Sequence, residues 1–385
     1  MKFQLRGNEL HKVLGKVIKG FNPKEDNSYV AFKLDPEENK LTATSRSRAT
    51  FFKGDIEAFS VEVASGEPLV YHLDGMKLKQ LISILPSSPV PVTFEINDKL
   101  RSFEIKSAGD LFKLPVLSET PLAPAPEVKE LVTVDANEFM KTAKDLIRIV
   151  STEQSAQEHQ ISCMHLNIND KKLKISATDS YALGSVTVDT SPITMKDGEV
   201  KDVLIRHTEV STLMESFSQG EVLTIVGSTD MFGYIDEEGT VSLVGVINIP
   251  PLDTRQIEAV TKKDNCITVD KAEFKYAIET VAKLSPSDET VDVELAKDLD
   301  HVKISNRYGD SIQVTISESK LSSPGIASFA TNVILKSITP ANNGSIRLEF
   351  GPLTEGQASA VRVVSLQADG SNVEGTSLIA TMMVR

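Results

Sequence analysis

Cationic side chains recur at helical spacing along this chain, and the pattern suits one chemistry, contact with phosphate. Lys12, Lys16 and Lys19 form the first set, Lys141, Lys144 and Arg148 the second, and Lys275 and Lys283 a thinner third. Lys77, Lys79, Arg206 and Lys336 lie at or near a second helical pattern in each third. Lysine and arginine placed this way neutralise phosphates without reading bases. The stripe by itself is equally what a solvated helix face looks like.

Other chemistries find little support. No glycine-rich nucleotide loop, Walker A segment, HExxH helix or GxSxG elbow occurs. The histidines are scattered. His159 and His165 flank Cys163, yet the spacing matches no standard metal-ligand pattern. Glu37-Glu38 and Glu237-Glu238 sit in polar, turn-like contexts that suggest solvated loops rather than acid/base pairs. The expectation is a protein that is not an enzyme and needs no cofactor or metal.

Forty-one basic against 54 acidic side chains give a net charge of −13. An acidic surface repels nucleic acid on average, so DNA contact requires charge segregated by face. Only Cys163 and Cys266 are present, which excludes a disulfide scaffold. No signal-like segment opens the sequence and no apolar run has membrane-spanning length, so a cytoplasmic location is expected.

The elements that would position the cations follow from an internal repeat. Thr133-Val134-Asp135-Ala136-Asn137-Glu138-Phe139 is nearly respelled by Thr268-Val269-Asp270-Lys271-Ala272-Glu273-Phe274, and more loosely by Gln4-Leu5-Arg6-Gly7-Asn8-Glu9-Leu10. Spacing of about a third of the chain indicates three tandem domains. Asp135 and Asp270, each with Glu three residues on, announce a helix; Arg6 replaces the Asp in the first copy, so its cap must differ. Leu10, Val13, Leu14 and Val17 then mark one helical face, as do Phe274, Ala277, Ile278 and Val281, and Phe139, Ala143 and Leu146 with Thr142 as the polar exception. The lysines fall roughly opposite.

A second helical pattern comes later in each copy: Leu78, Leu81, Ile82 and Leu85; Val210, Leu213, Met214 and Phe217; Val333, Ile334 and Ile338. Between the helices the chain alternates as strands do, for instance over 172–176, 222–226, 301–305 and 346–350. Prolines 115, 121, 124 and 126 punctuate the first junction, and Pro250 and Pro251 the second. The expected fold class is α+β, with three copies of one domain over 1–126, 127–255 and 256–385. Each copy packs two helices on largely antiparallel sheet.

Ala177-Thr178-Asp179-Ser180-Tyr181-Ala182-Leu183, after a strand in the middle domain, resembles the Ala-Thr-Asp-Gly-His-Arg-Leu segment of bacterial DNA sliding clamps, the beta subunit of DNA polymerase III. The opening Met1-Lys2-Phe3 and the closing Met382-Met383-Val384-Arg385 also resemble that family, which tends to end Met-Pro-Met-Arg-Leu. Together with the triple repeat, the likeness covers essentially the whole chain. Ser, Tyr and Ala stand where the family has Gly, His and Arg, Met383 replaces Pro, and the final Leu is missing. Such departures suit a distant, phage-borne member.

The resemblance implies a head-to-tail homodimeric ring around double-stranded DNA, bound without sequence specificity, tethering a polymerase and opened by a loader. The helix cations Lys12, Lys16, Lys19, Lys77, Lys79, Lys141, Lys144, Arg148, Arg206, Lys275 and Lys336, with Lys24 by position, would face the DNA. A groove for short apolar peptides of polymerase and loader would comprise Ile161, Thr178, Ser180, Tyr181, Ala182, Leu183, Pro250, Ala380 and Met382. Phe112 and Leu114 on one side and Leu284 on the other would form the dimer seam. Two other readings are carried: a structural protein of tandem domains such as a phage virion component, and a hydrolase with dispersed catalytic residues.

Overall fold

The computed structural model describes residues 1–385 except 64–68, 98, 100, 153–158, 218–219, 252–263, 286–289, 296–299, 323, 342–343, 353–357, 368, 373–374 and 385. The side chains of 358, 377 and 382–384 also lie outside the described residues.

The first third runs β1 (Lys2–Arg6), α1 (Gly7–Val17), β2 (Tyr29–Asp35), β3 (Lys40–Arg46), β4 (Thr50–Glu62), β5 (Val70–Leu73), α2 (Gly75–Ile82), β6 (Pro91–Asn97), β7 (Ser102–Ser107) and β8 (Asp110–Ser118). The second runs β9 (Lys129–Asp135), α3 (Ala136–Leu146), β10 (Cys163–Ile168), β11 (Lys172–Thr178), β12 (Ala182–Pro192), β13 (Lys201–Arg206), α4 (His207–Ser216), β14 (Val222–Gly227), β15 (Met231–Ile235) and β16 (Val241–Gly245). The last runs β17 (Asn265–Asp270), α5 (Lys271–Lys283), β18 (Thr290–Leu295), β19 (His301–Ser305), β20 (Ser311–Lys320), β21 (Gly325–Ala330), α6 (Thr331–Ile338), β22 (Ser345–Phe350), β23 (Ala358–Ser365) and β24 (Thr376–Val384).

One pairing scheme serves all three. In the first third β1 pairs β4 and β6, β7 lies between β6 and β8, β3 lies between β2 and β4, and β2 pairs β5, all antiparallel. The same seven pairings recur eight strands later and sixteen strands later. The expected α+β class with a threefold repeat is therefore present. Packing divides the chain into two units, one of Met1–Met140, Thr190–Glu199 and Thr208–Ile247, the other of Lys141–Asp189, Val200–His207 and Asn248–Arg385. Residues of the middle copy thus belong to both.

The helices start where their caps place them. Asp135 Oδ1 accepts from the Glu138 amide at 2.7 Å, and Asp270 Oδ1 from the Glu273 amide at 2.9 Å. Arg6 offers no side-chain cap to α1. The apolar faces turn inward as spaced: Leu10, Leu14 and Val17, then Phe139, Ala143 and Leu146, then Phe274, Ala277, Ile278 and Val281 are all buried. α4 departs from its expected face. The helix ends at Ser216, and its buried side is Val210, Leu213 and Ser216, not Met214 and Phe217. Ser216 Oγ meets Tyr234 Oη at 2.7 Å, and Tyr234 also donates to the Leu213 carbonyl at 3.1 Å. Burial pushes the Tyr234 phenol up to about 12, so it stays a donor at any physiological pH.

Gly233, in β15, has no room for a side chain. A Cβ there would stand 1.8 Å from the Ser242 carbonyl oxygen on β16. Backbone cannot swing aside as a side-chain tip can, so Gly233→Ala should destabilise the first unit by about 1–3 kcal/mol. Urea unfolding, read as a lower midpoint at unchanged slope, checks this.

Candidate functional site

The helix cations fall into two classes. On α3, Lys141 and Lys144, with Arg148 just beyond its end, are exposed and form no ion pair among the described residues. Lys24, Lys77 and Lys79 are exposed as well. The α1 set is occupied. Lys16 is only 3% exposed, with Nζ 2.7 Å from Asp236 Oδ2 and 2.8 Å from Glu238 Oε2. Lys12 pairs with Glu238 from the surface, and Lys19 Nζ lies 3.2 Å from Glu215. Lys16 is thus a structural ion-pair residue and not a phosphate contact. The helical period turned it away from the α1 core, but against the β15–β16 turn rather than into solvent.

In the second unit Lys336 Nζ donates to Asp179 Oδ2 at 2.6 Å, and Lys275 lies 3.9 Å from Glu279, one turn along α5. Arg206 is half-buried and already engaged. Lys271, unremarked in the sequence, donates to the Thr339 carbonyl at 3.0 Å and to that of Ala341. It caps the C-terminal end of α6, where a cation meets free carbonyls. Burial holds its ammonium pKa below the usual lysine value, aided by Lys275 and Lys141 and opposed by Asp145.

The Ala177–Leu183 segment is the end of β11, a three-residue turn and the start of β12. Asp179 shapes the turn: Oδ1 accepts from the Tyr181 and Ala182 amides at 3.0 and 2.8 Å. Thr178 Oγ1 donates to the Ala182 carbonyl at 2.7 Å. Ser180 takes a φ of +77°, the left-handed region that favours glycine. Across the turn β12 pairs β24, Ala182 opposite Ala380 and Leu183 opposite Ile379, and the Thr381 amide donates to the Tyr181 carbonyl at 3.0 Å.

Beneath the turn lies a small apolar pocket of about 10 Å³, lined by Gln160, Cys163, His165, Ser176, Ala177, Thr178, Leu183 and Leu204. Beside it His159, Gln160, Ile161 and Ile249 line an open cleft of about 410 Å³. Gln160 Nε2 donates to the Pro250 carbonyl and so pins the linker. Thr178 and Leu183 line the pocket and Ile161 the cleft, and Tyr181, on the turn, stands 63% exposed. Ala182 and Ala380 are buried in the strand pair and offer no surface; they hold the floor. Ile249 supplies the linker's lining side chain in place of Pro250. The Met382 side chain lies outside the described residues.

Cys163, His165 and Leu204 were not foreseen as lining. Alternation links Cys163 with His165, two apart on β10, but only strand pairing brings Leu204 of β13 into register with His165. His165 Nε2 also meets Asp202 Oδ1 at 2.9 Å. Among the described residues no group of three or more His, Cys, Asp or Glu could hold a metal ion, and no helix is long and apolar enough to cross a membrane.

Of the expected seam residues, Leu114 is 0% exposed within the core of the first third, so its side chain offers no surface to a partner. Phe112 packs against the same core, half-buried. Leu284, just past α5, is 58% exposed. On β8 it is Leu111 and Leu117 that face outward.

No family model matches the sequence, and no curated protein matches it significantly. Solved structures do match over the full chain. The DNA polymerase sliding clamp of Bacillus subtilis superposes with a TM-score of 0.82 at 16% identity, covering 100% of this chain and 99% of that one. The DNA polymerase III subunit beta of Pseudomonas aeruginosa gives 0.81 at 15%, covering 100% of both. The Helicobacter pylori beta clamp bound to a DNA ligase peptide gives 0.79 at 16%, again covering 100% of both. The chain has the fold of the bacterial sliding clamps.

Proposed function

We propose that this protein is a divergent DNA sliding clamp: a non-catalytic, cytoplasmic processivity factor whose three domains, 1–126, 127–255 and 256–385, close a ring with a second copy around duplex DNA. The observation that carries this reading is a strand pairing made twice and left open once. β4 pairs β16 through Thr50–Lys53 and Val241–Val244. One repeat later β12 pairs β24 through Ala182–Val186 and Thr376–Ala380. The third equivalent of that edge is Ser311–Thr315 on β20, which pairs only β19 among the described residues. The strand equivalent to β16 and β24 is β8, whose Asp110–Pro115 stretch pairs only β7 among the described residues. Two free edges of matching kind on one chain favour head-to-tail closure with a second copy, which removes both.

Leu111 and Leu117 flank one of these edges, and Leu284 stands exposed in the third that carries the other. Light scattering after size exclusion should give a dimer, and Leu117→Asp combined with Leu284→Asp should give a folded monomer. A wild-type monomer at micromolar concentration would remove the ring. A structural tandem-domain protein would share the fold but show no salt-dependent association with DNA.

The open cleft lined by His159, Gln160, Ile161 and Ile249 has room for one Leu, Met or Phe side chain of a polymerase or loader peptide, worth roughly 1.5–3 kcal/mol of burial. Tyr181 offers a second apolar contact without a role in the core. Tyr181→Ala should therefore weaken binding of a polymerase C-terminal peptide about five- to ten-fold by fluorescence anisotropy, with the oligomeric state unchanged. Equal affinity would place the groove elsewhere.

A further inference from the structure

The first junction repeats the main-chain hydrogen bonds of the second, although Ser180 takes a positive φ and its counterpart Arg48 does not. The β3–β4 turn spans three residues, Ser47, Arg48 and Ala49, as the β11–β12 turn spans Asp179, Ser180 and Tyr181. The Ser47 amide donates to the Thr50 carbonyl at 3.0 Å, as that of Asp179 does to Ala182 at 3.2 Å. The Gly245 amide donates across to the Ala49 carbonyl at 2.7 Å, as Thr381 does to Tyr181 at 3.0 Å. Arg46 Nη1 donates to the Pro124 carbonyl at 2.8 Å and pins the first linker, as Gln160 pins the second.

This repeated scaffold borders an open cleft of about 740 Å³, lined by loop residues Lys24 to Asn27 and Tyr29, the turn with Arg46 and Arg48, the linker at Ala123 and Pro126, and Asp230 and Met231. Its chemistry differs from the apolar pocket. Arg48 stands where Ser180 stands in the second junction. Neither the Arg48 guanidinium nor the Lys24 ammonium engages a partner among the described residues. Glu25 is spent on the fold, accepting from Asn22 Nδ2 and the Arg48 amide, each at 2.7 Å. Tyr29 Oη is buried without a hydrogen-bond partner.

We propose that this cleft is a second peptide-binding site, selective for a short segment of a protein partner that carries one or two carboxylates. The inference rests on the reading of the second junction as a peptide groove. Arginine and lysine with free donors fit a carboxylate. Asp26 and Asp230 stand in the same lining, so an extended polyanion such as single-stranded DNA meets repulsion that one or two placed carboxylates avoid.

The test uses the full chain and a pool of fluorescein-labelled nonapeptides, each with two glutamates at varied spacing in a serine–glycine background with one aromatic residue. At least one member should bind, and Arg48→Glu and Lys24→Glu should each weaken it about five-fold or more. The Arg48 side chain supports nothing else, so that variant should keep its fold and its apolar-peptide affinity. Tyr181→Ala should leave the acidic peptide unaffected, so failure at one junction is distinguishable from failure at the other. No binding by any member, binding indifferent to Arg48→Glu, or displacement of bound peptide by oligothymidylate would each overturn the assignment.

Discussion

Lys16→Met should cost the first unit about 3–5 kcal/mol, the largest single-residue loss expected in this protein. The lysine lies on α1, while Asp236 and Glu238 come from the β15–β16 turn more than half the chain away. With the ammonium gone, Asp236 keeps its place, because Oδ1 still accepts from the Glu238 and Thr240 amides at 3.0 and 2.9 Å. Its other oxygen then faces protein with no counter-charge, and that desolvated carboxylate is the source of the loss. Lys16→Met with Asp236→Asn removes the orphan charge and should recover part of the stability. Calorimetric or urea unfolding of the two variants separates the cases. A single variant within about 1 kcal/mol of wild type would show that water reaches the cluster.

The second large effect concerns α3. Lys141, Lys144 and Arg148 are exposed and unpaired among the described residues, whereas the α1 cations are already neutralised in place. Phosphate contact should therefore rest on α3 more than on α1. Replacing all three with Glu should cut duplex affinity at low salt by at least ten-fold. It should also reduce the slope of log affinity against log salt by about 2.7 per protomer, at about 0.9 per phosphate contact. Lys12→Glu should change the slope little. Titration of a labelled duplex at several salt concentrations reads both. An unaltered slope in the triple variant would take α3 off the DNA.

The repeat, the helix starts, the strands and the class of fold were legible because each is written locally. Capping Asp135 and Asp270, the i, i+3, i+4 faces and the alternation over 172–176 or 301–305 depend only on near neighbours. What eluded the sequence depends on residues far along the chain. A helical period shows that Lys16 points away from the α1 core but not that Asp236 waits there. Alternation along β8 separates Leu114 from Leu111 and Leu117, yet gives no sign of which set faces the core. α4 misled for a third reason: Ser216 is buried through its bond to Tyr234, while the pattern favoured the more apolar Met214 and Phe217. At the second junction, the Ala177–Leu183 segment was marked by its likeness to the clamp family and not as a turn. Cys163, His165 and Leu204 come from strands that only pairing brings beneath it.

Both junctions within the chain are sealed by main-chain hydrogen bonds between strand edges, with Gly245 to Ala49 and Thr381 to Tyr181 closing the corners. Amide and carbonyl are the same whatever residue bears them. Side chains at these joints therefore carry none of the main-chain closure, and the two corners differ in them, with Arg48 at the centre of one turn and Ser180 at the centre of the other. A joint closed by amides and carbonyls fixes the course of the backbone and leaves the choice of residue open.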